Sequence, residues 1–411
     1  MNCTPIQKCR ESGSTDLIKV LSLGIQTLTG VFPKNSSEKV TSGPIELVWA
    51  PESGLLQLAH TYNAAEMYGE NYGYRSGLNQ SMIDHLTQKI RWLERYVQLQ
   101  GGDTVVDIGS NDATTLKAYT IKGLDRLGID PTGQKFKDHY SDGVDLISDF
   151  FSSSVYKNNR KQRAKVITSI AMFYDLDEPV KFAKEVKEIL AHDGVWHFEQ
   201  SYMPSMLRTN SYDTICHEHL EYYSLQAISR IMSKAGLKIT DVIMNDINGG
   251  SFAVSATHKE SKKYPENRPV IDWLIEQEVR MGLNTPRPFR DFEERVYRHR
   301  EDLTRLIKNL VADGKKILGY GASTKGNVVL QFCGLSAKEL SAIAEVNTEK
   351  FGRVTPGTHI PIISEAEARK INPDYFFVLP WHFKDGIVRR EKKFLHNGGK
   401  FIFPFPEIEI I

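Results

Sequence analysis

The chain has 411 residues, a length that predicts two or three compact domains. Hydrophobic residues make up 40% and charged residues 25%, a globular composition that argues against a disordered or fibrous chain. With 52 basic and 51 acidic residues the formal charge is +1, which speaks against a whole-surface basic field for nucleic acid and leaves room only for a local patch.

In chain order, the opening segment reads as short strands at Leu17 to Leu23, Ile45 to Trp49 and Leu55 to Leu58, broken by Gly, Pro and Ser clusters. They carry too little apolar material for an independent core. From Leu78 to Leu99 the period changes: Met82, Leu86, Ile90, Leu93 and Val97 recur every three or four residues and predict a helix. Strands follow around 104–109, 127–130, 165–169, 194–198, 237–243 and 251–256, with helices at Val180 to Leu190 and Leu225 to Ala235. Such alternation implies a mainly parallel, doubly wound sheet. Between Arg268 and Asp313 the chain is charged and helical, with a break at Thr285-Pro-Arg-Pro288 that marks a junction. Strand and helix alternation then restarts, with strands around 316–320, 340–345, 375–379 and 400–405. The expected division is a small module at 1–75, an α/β domain at 76–265, and a helical linker with a second α/β domain at 266–411.

Four cysteines, Cys3, Cys9, Cys216 and Cys333, are too few and too scattered for a disulfide scaffold. No apolar run approaches the roughly 20 residues of a membrane span, and the first residues lack an apolar signal core. The expectation is a cytoplasmic protein without a membrane partner. Its charge balance and its helices suit a monomer or a homodimer equally.

Three constellations carry chemistry. Val106-Asp-Ile-Gly-Ser-Asn-Asp-Ala113 is a strand-to-helix turn, followed by Leu127-Gly-Ile-Asp-Pro131. Gly109 permits close backbone approach of a ligand, and Asp130 ends the next strand, where an acid can accept from a ribose diol. The dinucleotide pattern GxGxxG is absent; a single turn led by Asp107 suits S-adenosylmethionine better. A tight turn and a helix cap explain Gly109 and Asp130 equally well when each is taken alone. Gly319-Tyr-Gly-Ala-Ser-Thr-Lys-Gly326 places backbone N–H groups, hydroxyls and Lys325 at a helix start, a recipe for holding a diphosphate. A glycine-rich packing turn is the plainer reading. The third is Asp213-Thr-Ile-Cys-His-Glu-His219, which offers a general base with an acid beside it, or a solvated polar loop.

Together these motifs resemble the S-adenosylmethionine-dependent C-methyltransferases that act on nucleotide-activated deoxy-keto-sugars, the tetronitrose type among them. The likeness runs through Tyr72-Gly-Tyr-Arg-Ser76, Asp107-Ile-Gly-Ser-Asn-Asp112, Asp149-Phe-Phe151, Asp213 to His219, Asn248-Gly-Gly-Ser-Phe252, Gly319-Tyr-Gly-Ala322 and Thr355-Pro-Gly-Thr-His-Ile-Pro361. The resemblance implies a small N-terminal zinc module, a Rossmann-like class I methyltransferase domain and a C-terminal Rossmann-like domain that helps hold the sugar nucleotide. It makes His219 the base with Glu218 orienting it, and puts Tyr74, or else Tyr72, at the sugar. Asp107, Gly109, Asn111, Asp130, Asp149 and Phe150 fall on cofactor positions. Tyr72, Cys216, Asn248, Gly321, Ser323 and Lys325 fall on the substrate side.

The chain departs from the family pattern in its N-terminal module. Where two CxxC pairs are usual, it reads Cys9-Arg-Glu-Ser12 and Ala50-Pro-Glu-Ser53, so three of four thiolates are missing and no zinc is expected. Ala113 stands where the cofactor loop usually has Gly, and Cys216 where a Tyr is common. The function implied is C-methylation, at C3, of a nucleotide-linked 4-keto-deoxysugar through an enolate. An O-methyltransferase on a sugar nucleotide and a non-catalytic sugar-nucleotide-binding homologue stay open as alternatives.

Overall fold

Strands of alternating burial open the chain in the computed structural model, which describes residues 3–68, 74–141 and 143–411. β1 (Cys3–Pro5), β2 (Ile18–Thr27), β3 (Ser42–Ala50), β4 (Leu55–Leu58) and β5 (His60–Tyr62) build two antiparallel sheets, one of β1 and β5, the other of β2, β3 and β4. The second sheet points its Leu21, Leu23, Ile45, Leu47, Leu56 and Leu58 into a core shared with the C-terminal part of the chain. Little apolar material therefore suffices, because the module borrows its neighbours' surface.

The helix Gln80–Val97 is capped by Asn79, whose side chain accepts from the Ser81 amide, and it buries Met82, Leu86, Ile90, Leu93 and Val97 along one stripe. Beyond it lie β6 (Thr104–Ile108), β7 (Asp125–Ile129), β8 (Val144–Ile147), β9 (Ala164–Ile170) and β10 (Leu190–Ser201), then β11 (Glu221–Tyr222), β12 (Leu237–Asn245) and β13 (Ser251–His258). Seven of these form one sheet in the order β12-β13-β10-β9-β6-β7-β8, in which β13 alone runs against the other six. The strand order reverses between β9 and β6, so a crevice opens at the carboxyl end of β6. β11 does not join this sheet. It pairs with β4 and becomes the outer strand of the N-terminal sheet, a connection that the two-residue strand is too short to announce.

The last sheet takes β14 (Ile317–Tyr320), β15 (Ile343–Glu345), β16 (Ile362–Ser364), β17 (Tyr375–Val378), β18 (Lys400–Phe403) and β19 (Glu409–Ile410) in the order β16-β15-β14-β17-β18-β19, with only β19 antiparallel. The helix Arg287–Ala312 binds the parts together. Its stripe of Phe289, Phe292, Val296, Leu303 and Ile307 enters the core shared by the first and last sheets. Tyr297 donates to the Ser22 carbonyl at 2.9 Å, and Tyr212 meets His299 at 3.0 Å. Truncating the fully buried Phe292 to Ala would cost about 3–5 kcal/mol. Among the described residues no helix is long and apolar enough to cross a membrane.

Candidate active site

At the carboxyl end of β6 the backbone turns through Gly109 (φ 76°), whose amide donates to the Ile129 carbonyl at 2.9 Å. A Cβ there would press on the Met172 side chain at 3.1 Å, so glycine meets both the dihedral and the close approach. Asn111 (φ 48°) donates its amide to Asp130 Oδ2 at 2.7 Å and accepts from the Ser76 amide at 3.0 Å. Its Nδ2 reaches the Tyr74 carbonyl at 3.3 Å, and Asp112 accepts from the Gly77 amide at 3.0 Å. The segment after residue 73 is thus strapped across the turn. Asp130 Oδ1 is taken by the amide and hydroxyl of Thr132, both at 2.6 Å. Beyond β8, Asp149 and Phe150 are exposed, with Phe150 51% open.

Asp107 lies elsewhere than expected. It is fully buried, and its carboxylate accepts from Thr168 at 2.5 Å and from Thr115. Burial pushes its pKa up to about 7. It braces β6 against β9 instead of reaching into the open crevice. Tyr72 lies outside the described residues. Tyr74 is half exposed, while its hydroxyl turns inward to Ser76 beside Asp112; among the described residues no contact joins it to His219. Ala113 has φ 61°, the left-handed region that disfavours a side chain.

The second group of residues is built around 213–219. His219 Nδ1 lies 2.8 Å from the Thr214 carbonyl, and its ring packs on Tyr174 at 4.2 Å between centroids. A carbonyl oxygen only accepts, so Nδ1 carries the hydrogen and Nε2 keeps its lone pair. Burial and the nearby Lys325 ammonium push the imidazole pKa down to about 3, leaving it neutral. Glu218 does not orient it. Adjacent side chains diverge, and the Glu218 carboxyl instead meets Thr29 at 3.4 Å and sits so close to Gly30 that any side chain there would overlap it. Burial raises its pKa. Cys216 is fully buried, its thiol pushed up by burial and by Glu218 and Asp175.

The C-terminal turn also differs from its expected use. The Gly321 amide donates to the Ala344 carbonyl at 2.8 Å, and a Cβ at this position would meet Pro380 at 2.7 Å. The Ala322 amide is held by the Glu345 carboxylate at 2.7 Å, and Ser323 Oγ caps the helix Thr324–Phe332 through the Gly326 amide at 3.0 Å. An acid of the chain itself therefore occupies the turn where a diphosphate was expected, and Gly321 and Ser323 serve the turn's own geometry. Lys325 crosses instead to the loop between β12 and β13 and donates to the Asn248 carbonyl at 2.8 Å.

Several residues of this second group escaped the sequence reading. Asp213 is buried and accepts from Trp381 Nε1 at 2.8 Å, Trp381 packs on Gly249, and His382 is held near pKa 3 by burial and Lys325. Asp213 stood inside a quoted motif. Trp381 and His382 carried no local pattern that marks them.

The zinc positions do converge. Cys9-Arg-Glu-Ser-Gly13 and Ala50-Pro-Glu-Ser-Gly54 form matching turns closed by Gly13 and Gly54 amides on the Cys9 and Ala50 carbonyls, at 2.9 and 2.8 Å. Cys9 Sγ lies 3.3 Å from Ser53 Oγ. One thiol, two hydroxyls and a methyl do not make a zinc site. Burial raises the Cys9 pKa, but bonds from Ser12, Ser53 and the Glu11 backbone outweigh it and lower the thiol overall. Among the described residues no three His, Cys, Asp or Glu side chains group as a metal would need.

Family models match three consecutive stretches, described as "Putative zinc binding domain" at residues 9–68, "Methyltransferase domain" at 81–242 and "C-methyltransferase C-terminal domain" at 246–406. The C-methyltransferase NovU of Streptomyces niveus is 31% identical over 411 residues, spanning 99% of this chain and 97% of the relative. An S-adenosylmethionine-dependent methyltransferase of Clostridium acetobutylicum aligns over 43% of this chain and 92% of its own, at 11% identity and a TM-score of 0.33. A further one, from Aquifex aeolicus, aligns over 44% and 98%, at 17% identity and a TM-score of 0.30.

Proposed function

Because this chain belongs to the S-adenosylmethionine-dependent C-methyltransferases, we propose that it methylates a ring carbon, C3, of a nucleotide-diphosphate-linked 4-keto-deoxysugar. The observation that carries the reading is the fixed tautomer of His219, whose Nδ1–H is tied to Thr214 while Nε2 keeps its lone pair. A 4-keto group acidifies the hydrogen on C3. His219 Nε2 takes that proton, and the released electron pair runs through C4 to the keto oxygen as an enolate.

S-adenosylmethionine, when bound, supplies an electrophilic methyl group for that carbon. The residues at the sheet crevice that would hold it are the glycine turn at Gly109, the exposed Asp149 carboxylate and the exposed Phe150 ring as a stacking face, with the buried Asp130 ordering the turn through Asn111 and Thr132. Asn111 and Asp112 hold the backbone of residues 74, 76 and 77 across this crevice. The protein aligns the two reactants and excludes water.

The test is mass spectrometry of reactions containing S-adenosylmethionine and a panel of nucleotide 4-keto-6-deoxysugars deuterated at C3. One added methyl with loss of the deuterium is the expected outcome. Methylation with the deuterium retained means O-methylation. No methylation across the panel, with no heat of S-adenosylmethionine binding by calorimetry, means a non-catalytic homologue.

A further inference from the structure

Lys325 is the second group at this site whose chemistry is unspent. It lies in the first turn of the helix Thr324–Phe332, where the helix dipole disfavours a cation. Its ammonium carries three donors, and the Asn248 carbonyl takes one. Among the described residues no carboxylate comes within ion-pair distance of it. Asp213 attracts it from farther off, with Oδ2 bound to Trp381 and Oδ1 buried without a partner. His219 and His382 both feel its charge, and His382 Nδ1 is likewise buried and unpartnered.

A half-buried cation with spare donors therefore acts on the neutral imidazole, while the Gly321 and Ala322 amides of the turn that carries it are taken by Ala344 and Glu345. That is the placement of an oxyanion donor, not of a phosphate clamp.

We propose that Lys325 donates to the substrate oxygen that becomes the enolate, so that the base comes from the 213–219 segment and the oxyanion donor from the C-terminal turn. The assignment rests on the keto-sugar reading above. In the step, the C3–H bond breaks and its proton goes to His219 Nε2. The C3–H electron pair becomes the C3–C4 π bond, and the C4–O π pair moves onto oxygen, where the Lys325 ammonium holds it. The imidazolium and the ammonium then flank one oxyanion. Burial is the main reason His219 is weakly basic, and an oxyanion on Lys325 offsets only the smaller part that comes from the Lys325 charge. The C-terminal unit thereby supplies half of the reacting centre, and neither half is competent alone.

The experiment uses the full chain in D₂O without methyl donor, with dTDP-4-keto-6-deoxyglucose as probe. NMR follows washout of the C3 hydrogen at saturating probe, and calorimetry gives the probe Kd. Lys325→Met is expected to slow washout about 10²–10³-fold with Kd changed less than about threefold. Lys325→Arg, which keeps the charge but moves the donors, is expected to slow it at least about tenfold, also at near-constant Kd; it serves if the Met variant does not fold. A Kd raised about tenfold or more with saturated washout intact would make Lys325 a diphosphate ligand and overturn the assignment. Unchanged washout and Kd would overturn it as well. Failure of the underlying reading looks different: no washout by the unsubstituted enzyme, or full washout by His219→Asn.

Discussion

Replacing His219 with Asn separates its two nitrogens. The Asn amide can keep the N–H donor that Nδ1 gives to the Thr214 carbonyl at 2.8 Å, while the lone pair of Nε2 is lost. The stability change is small: the ring contact with Tyr174 is worth about 0.5–1.5 kcal/mol, and the hydrogen bond survives. The rate change is large. Removing a general base costs about 10²–10⁴-fold, or roughly 3–5 kcal/mol of transition-state stabilisation at 1.36 kcal/mol per decade. With burial and Lys325 holding the imidazole at about pKa 3, His219 is already neutral at pH 5, so kcat/KM of the unsubstituted enzyme shows no acid limb near 6.5 from this group. The assay is methyl transfer to a nucleotide 4-keto-6-deoxysugar, read by mass spectrometry across pH 5 to 9, with thermal melting as the folding control. Turnover by the Asn variant within about threefold of normal removes His219 from the chemistry. An acid limb near pH 6.5 that vanishes in the variant would show that the imidazole is not desolvated as the structure has it.

Asp107→Asn should change the pH dependence of stability. Its folded pKa is raised to about 7 from 3.8, so between those values the folded state binds the extra proton and stability falls as pH rises. Melts of the unsubstituted protein minus the variant should lose up to about 4 kcal/mol from pH 4 to pH 7, and a flat difference contradicts the buried, ionisable Asp107. Ala113→Gly relieves left-handed strain of about 1–2 kcal/mol but gives up a buried methyl of about 0.8 and adds unfolded-state entropy of about 0.4–1, so denaturant midpoints should move by less than about 1 kcal/mol. A gain above about 2 kcal/mol would mean the strain is larger than the dihedral implies. Because the two Ser-Gly turns are already paired, the triple variant Ser12→Cys, Ala50→Cys, Ser53→Cys should bind one zinc per chain by elemental analysis and melt higher with zinc than with a chelator; the unsubstituted protein should respond to neither. Zinc copurifying with the unsubstituted protein, or a triple variant that stays metal-free, would contradict this.

Periodicity and punctuation made much of the architecture legible. Met82, Leu86, Ile90, Leu93 and Val97 lie on the buried stripe of a helix, and Val105, Val106 and Ile108 lie in a central strand ending at a glycine turn, as their spacing requires. These patterns are local because backbone geometry repeats over a few residues. What faces what was not local. Glu218 and His219 are neighbours in the chain, yet one meets Thr29 and the other Thr214, because successive side chains leave the backbone in different directions. Lys325 and Ser323 share a turn, yet only Lys325 reaches out of it, to the Asn248 carbonyl. The two residues of β11 found their sheet partner more than 160 positions upstream. Residue types and spacing thus set the elements and the family; direction, desolvation and long-range pairing, which arise only when the sheets pack, decided which nitrogen is basic and which cation stands beside it.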